Sequence, residues 1–227
     1  MFKICKIIIL LIFVSFPLSV NAHVKHYEDL NRIEFDIYRN NKHIGKHIFS
    51  FKKLDKQLAV ESEIYFEIKK LGIVFYKYHV KGTEIYKAGR LIKFNSETNQ
   101  NGKHKYANLK LEDGKYTIDG SSYKGKVPED YLLGTWWNHS IVKAKAQISA
   151  VSGRIIKQKV TFLGKETIKF GDKSYNSLHY NFSSTDKKLD KEKKLNTDVW
   201  YDEKTLNWIK ASFNKKGKWE YRLVLIE

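Results

Sequence analysis

Residues 91–120 read LIKFNSETNQNGKHKYANLKLEDGKYTIDG. Two dipeptides in this stretch, Asn101-Gly102 and Asp113-Gly114, are strong signals for a two-residue hairpin turn, because both of its central residues must take positive φ. Centred on the first turn, Phe94 faces Leu109 and Ile92 faces Leu111. Centred on the second, Leu111 faces Tyr116 and Leu109 faces Ile118. Each turn sets its register independently, and both send Leu109 and Leu111 inward. A slip of one residue would turn every side chain to the other face, so the agreement identifies three consecutive antiparallel strands.

The same alternation continues upstream. Ile33, Phe35 and Ile37 share one face and Glu34 and Asp36 the other, ahead of a turn at Asn40-Asn41. That turn sets Ile37 opposite Ile44, Ile33 opposite Ile48 and Glu34 opposite His47. Gly45, mid-strand, marks a close backbone approach or a bulge. Val60, Ile64, Phe66 and Ile68 share the next inward face, with Glu61, Glu63 and Glu67 outside. A three-residue loop at Lys70-Leu71-Gly72 pairs Phe66 with Tyr76, Ile64 with Tyr78, Glu63 with His79 and Glu61 with Lys81. The three glutamates therefore read as a salt-bridged outer face.

Downstream, residues 127–142, VPEDYLLGTWWNHSIV, break the pattern. They hold Pro128, the chain's second and last proline, and the adjacent Trp136 and Trp137. Beyond them alternation resumes, with a turn at Ser152-Gly153 and strands over 156–162, 166–170, 175–183, 197–201 and 208–213. A charge run at 186–194 forms a solvated loop. The final turn, Lys215-Lys216-Gly217, sets Phe213 against Trp219, Ala211 against Tyr221 and Ile209 against Leu223. The fold class is all-β: roughly a dozen strands in an antiparallel meander, forming a curved sheet or barrel, with one aromatic, partly helical crossing segment.

Residues 1–22 have the form of a secretory signal peptide. Lys3 and Lys6 precede an apolar run, and Val20-Asn21-Ala22 suits cleavage before His23. Residues 23–227 then form a single antiparallel β domain, exported, and periplasmic in a Gram-negative cell. Cys5, the only cysteine, leaves with the leader, so the domain relies on its core with no disulfide. Removing Lys3 and Lys6 takes the chain's formal charge from +17 to +15. The excess is almost all lysine and is spread along the chain, whereas nucleic-acid sites lean on the arginine fork. The expected partners exclude nucleic acid and include lipid or another envelope component, with peripheral membrane contact.

No catalytic motif is present. There is no HExxH and no GxSxG, and Ser140 after His139 lacks the strand–elbow–helix context of a nucleophile. His43 and His47 fall on one strand face, too far apart for one metal ion, and read as exposed histidines. A free amino terminus at His23, with His26 nearby, is chemically able to take copper but lacks a further histidine to complete a site. The sequence therefore implies no cofactor, metal or catalytic residues. An enzyme reading would need a buried histidine or carboxylate with a strongly shifted pKa beside a cleft.

Two tracts carry a resemblance. One is FDIYRNNKHIGKHIFSF at 35–51; the other is DVWYDEKTLNWIKASFNKKGKWEYRL at 198–223. With Trp136-Trp137 they resemble a group of exported proteobacterial domains of unknown function, over most of the chain. The resemblance implies a periplasmic antiparallel β fold with no assigned activity, similar in outline to the curved-sheet lipoprotein carriers of the envelope. This chain lacks a lipid-anchoring cysteine.

The aromatics that such a fold turns inward are the candidate ligand contacts: Tyr76, Tyr78 and Trp219 from strands, and Tyr131, Trp136 and Trp137 from the crossing segment. The expected function is a non-catalytic binding module for an apolar or amphipathic envelope molecule. The alternative is a structural or interaction protein using its basic surface on cell-wall polymer or acidic lipid.

Overall fold

The structure is a computed structural model and describes Tyr27 and residues 29–227. The expected leader at 1–22, its cleavage point and the histidines at 23 and 26 lie outside the described residues. The strands are β1 (Arg32–Arg39), β2 (Lys42–Leu54), β3 (Gln57–Lys70), β4 (Ile73–Lys87), β5 (Arg90–Gln100), β6 (Lys103–Glu112), β7 (Lys115–Gly120), β8 (Lys124–Pro128), β9 (Leu132–Leu133), β10 (Ala146–Ile148), β11 (Ile155–Phe170), β12 (Lys173–Ser184), β13 (Asn196–Asp202), β14 (Trp208–Asn214) and β15 (Lys218–Ile226). They form one 15-stranded sheet, ordered β8-β7-β6-β5-β4-β3-β2-β1-β15-β14-β13-β12-β11-β10-β9. Every neighbouring pair is antiparallel except β9 with β10, which is parallel.

Local chemistry accounts for most of the turns. Asn40, Asn41, Leu71, Gly72, Asn101, Gly102, Asp113 and Gly114 all have positive φ, as two-residue hairpins matched to strand twist require. Phe94 pairs with Leu109, Leu109 with Ile118 and Leu111 with Tyr116, as read. Leu109 is buried, and Leu111 is half-buried against the core. The last hairpin pairs Phe213 with Trp219 and Ala211 with Tyr221.

The departures from the sequence reading are mostly bulges, in which one extra residue shifts the pairing beyond it. In β2 the shift falls at Ile44, so Ile37 meets Gly45, Ile33 meets Phe49 and Glu34 meets Ile48. It also separates the two histidines expected on one face: His43 lies outside against Asp36, and His47 is buried. In β4 the turn is the two residues Leu71-Gly72 and the bulge is at Phe75, so Phe66 meets Tyr78 and Ile64 meets Val80. Ile92 is bulged out of β5 and does not pair with Leu111. A bulge at Leu163 keeps β11 continuous where two strands were expected.

The sheet curls about one apolar core and does not close by strand pairing. Its edges, β8 and β9, are consecutive in the chain and joined by residues 129–131, so they lie no more than about 15 Å apart at 3.8 Å per residue. Arg90 grips Glu129 of this link through two hydrogen bonds of 2.7 Å. At the other end, the 149–154 turn seats on β5 and β7. Ser122 N–H donates to the Ser152 carbonyl at 2.9 Å, and the Ser96 hydroxyl donates to the Ala150 carbonyl. A Cβ on Gly120 would stand 2.5 Å from Ser152 O, so that contact requires glycine.

Candidate functional site: an aromatic cavity with a cationic rim

Residues 134–145 run through the middle of the barrel-like sheet, ending in a 3-10 turn at His139–Lys143. Trp137 is fully buried, edge-on to Tyr27, Phe51 and Tyr86 at 5.0–5.5 Å. Its indole N–H donates to Glu84 Oε1 at 2.9 Å, and the Tyr86 hydroxyl donates to Glu84 Oε2 at 2.5 Å. The Thr135 hydroxyl adds a third bond. Burial pushes the Glu84 carboxyl up to about 7, and these donors only partly oppose it. This residue was not singled out in the sequence. Its signal was there: Glu84 shares the inward parity of Tyr76, Tyr78 and Val80.

Trp136 packs edge-on to Trp208 at 5.8 Å and to Tyr221 at 6.5 Å. His47 lies in the same aromatic layer, 4.2 Å from Phe49, and burial pushes its imidazole down to about 3. The crossing segment thus divides the interior. Below it, under the 129–131 link, is a cavity of about 500 Å³ lined by Tyr86, Leu91, Tyr116, Leu133 and Ile141.

Above it is a cavity of about 540 Å³ between the β3–β4 and β14–β15 hairpins. Its walls are Ile64, Phe66, Ile68, Tyr76, Tyr78, Phe213, Trp219 and Tyr221. Phe66 stacks on Tyr78 at 4.8 Å and meets Trp219 at 5.2 Å; Trp219 lies parallel to Phe213 at 5.8 Å. Two strands separate β3 from β15, so at about 4.8 Å per strand a flat sheet would hold these rings near 14 Å apart. Curvature brings them together, and Gly45 on the intervening β2 leaves the space: a Cβ there would stand 2.0 Å from Tyr65 O and 2.5 Å from Phe66 Cβ.

The rim is polar and mainly cationic. Arg39, Lys215 and Lys216 stand at it with Gln100 and Glu192. The Arg39 guanidinium lies 5.8 Å over the Trp219 ring, and Gln100 donates to the Tyr76 hydroxyl at 2.8 Å. Burial lowers the Lys105 pKa, helped by the charges of Lys103, Lys215 and Arg154. Those cations therefore converge on one region. Burial also pushes the Tyr78 and Tyr221 hydroxyls far up, so they remain neutral.

Of the six candidate contacts, Tyr76, Tyr78 and Trp219 line this cavity. Trp136 stands one ring behind its wall, Trp137 lies in the plug, and Tyr131 packs half-buried on the core. Among the described residues, no three His, Cys, Asp or Glu side chains gather closely enough to hold a metal ion, and no helix is long and apolar enough to cross a membrane.

The model of the DUF6134 family, a domain of unknown function, matches residues 35–224. The chain belongs to the DUF6134 family. No curated protein matches it by sequence. Among solved structures, the DUF6134 chain is similar to a β-barrel-like protein of the DUF1849 family, also of unknown function, from Brucella abortus. That likeness has a TM-score of 0.62 at 10% identity and covers 87% of this chain and 97% of the other. It establishes a shared fold. A protein from Bacteroides fragilis described as exported, with a YmcC-like fold, aligns at 8% identity over 86% of this chain and 94% of its own, with a TM-score of 0.31. That score is too low to carry an argument about this DUF6134 domain.

Proposed function

We propose that this domain is an exported, non-catalytic binding module for an apolar or amphipathic envelope molecule, held in the cavity between the β3–β4 and β14–β15 hairpins. The observation that carries the reading is a space of about 540 Å³, walled by aromatic rings and rimmed by Arg39, Lys215 and Lys216. That combination suits an apolar body with an acidic or polar head. A catalytic reading has less support. The buried carboxyl of Glu84 has both oxygens engaged by Trp137 and Tyr86 and lines neither of these two cavities.

Native mass spectrometry of the protein purified from its own cell envelope tests this. A co-purifying lipid-sized mass is expected, and it should be lost from the Trp219→Ala and Tyr78→Ala variants. A bare chain from the parent, or an adduct that both variants retain, overturns the reading.

A further inference from the structure

We propose that the protein seats end-on on an anionic lipid bilayer, with the tip of the β3–β4 hairpin inserted among the headgroups. In a meander, alternate turns fall at opposite ends of the sheet, and here the two ends differ in charge. The end holding the 40–41, 71–72, 101–102 and 215–217 turns carries Lys42, Lys70, Lys103, Lys105, Lys215 and Lys216. The 186–194 run at the same end adds five lysines against three acids. The opposite end is mixed: Asp55, Glu112, Asp113, Glu129, Asp130 and Asp202 stand among Lys53, Lys56, Lys87, Arg90, Lys110, Lys115, Lys173 and Lys204, with Arg90 paired to Glu129 and Lys110 to Glu112. The sequence showed lysines spread along the chain; the fold leaves the lysine excess over acids at one end.

The apolar part of the surface is the hairpin tip. Leu71 is 93% exposed, Ile73 64% and Phe75 59%, and the bulge at Phe75 lets adjacent residues Val74 and Phe75 both reach solvent. Lys69, Lys70 and Lys77 flank them; Lys69 and Lys77 share Glu67 at 3.1 and 3.3 Å, which leaves the three lysines a net positive charge. Large apolar side chains at a projecting tip, ringed by lysine, match the interfacial region of a bilayer: the chains enter the acyl boundary and the ammonium groups meet phosphates. A soluble polyanion would satisfy the lysines and leave Leu71, Ile73 and Phe75 in water. A second copy docking through the same end would oppose like charges. The tip also stands beside the mouth of the cavity, since Ile68 and Tyr76, cross-strand partners just below it, line that cavity. The docking argument rests on surface residues, so it and the cavity reading can fail separately.

The test uses protein recovered after export, its mass checked for loss of residues 1–22, in flotation with phosphatidylcholine vesicles and with vesicles in which a third of the lipid is phosphatidylglycerol. Binding to the anionic vesicles is expected to be at least about tenfold the stronger and to weaken with added salt. The double variant Leu71→Ser, Phe75→Ser, with circular dichroism unchanged, should lose about tenfold. Leu54→Ser, at the opposite end and 50% exposed, should bind as the parent does. Trp219→Ala should keep vesicle binding while losing any cavity ligand. Failure of the parent to float with anionic vesicles, equal binding to both lipids, or a tip variant that binds like the parent overturns the proposal. Dextran sulfate serves as a charge-only partner: if the parent binds it and the tip variant floats undiminished, the surface reads charge alone and the insertion is refuted.

Discussion

Burial moves Glu84 and His47 in opposite directions on the pH axis, and each shift has a consequence for stability. The Glu84 carboxyl is raised to about 7 by burial, so between pH 4.5 and 7 the native chain keeps a proton that the unfolded chain has lost. Raising the pH through that window therefore destabilises the fold, by about 1.4 kcal/mol per unit. His47 is lowered to about 3 by burial, so below pH 6.5 the unfolded chain takes up a proton that the native chain refuses. Lowering the pH from 6.5 destabilises at a similar slope. Between pH 4.5 and 6.5 the two effects oppose each other, and single variants should separate them. In urea titrations at pH 5, 6 and 7, the parent should be nearly flat up to pH 6.5, Glu84→Gln should unmask a loss toward acid, and His47→Phe should unmask a loss toward pH 7. Unchanged profiles would show that neither group titrates as its burial implies. Gly45→Ala is a third residue-scale test. Its Cβ would overlap Tyr65 O and Phe66 Cβ, so a loss of about 3 kcal/mol or more is expected in the same assay. The sequence offered two explanations for Gly45, and the structure holds both: a bulge at its neighbour Ile44 and a close approach.

At the scale of elements, the crossing segment depends on one anchor. Trp137 fills the space between Tyr27, Phe51 and Tyr86 and ties the segment to β4 through Glu84. Trp137→Ala should cost about 3–5 kcal/mol, and Trp137→Phe, which keeps a ring and removes the indole donor, about 1–3 kcal/mol. Denaturant midpoints check both, and a Trp137→Phe variant as stable as the parent would mean that the bond to Glu84 contributes nothing beyond ring volume. The segment was legible as an aromatic break in the alternation. Its destination was not, because a stretch without period carries no register, and Glu84 lies 53 positions away. The strands show the converse. Their faces were readable from alternation, but the shifts at Ile44, Phe75 and Leu163 were not, because a bulge adds one residue without altering the apolar composition around it.

For the whole molecule, connectivity replaces hydrogen-bonded closure. The described ends of the chain meet at the middle of the sheet, where Asn31 and Arg32 N–H groups donate to the Glu227 carbonyl at 2.6 and 2.9 Å. The sheet edges meet through residues 129–131. A circular permutant that joins the ends near 29 and 227 and opens within the 186–194 loop should keep the parent's circular dichroism and thermal midpoint within a few degrees. One opened between Asp130 and Tyr131 releases the two edges and should melt lower by about 10 °C or more, from the loss of several kcal/mol. Equal midpoints would show that strand curvature alone holds the edges together.

The hairpins, the inward residues and the all-β class follow from the sequence by itself. Alternation and turn chemistry are local, and each turn fixes which side chains its two strands present to the core. The placing of Tyr76, Tyr78 and Trp219 around one cavity, the gathering of scattered lysines at its mouth and the burial of Glu84 were decided by the tertiary structure. Each depends on how far the sheet curves, and curvature is set by packing between residues far apart in the chain.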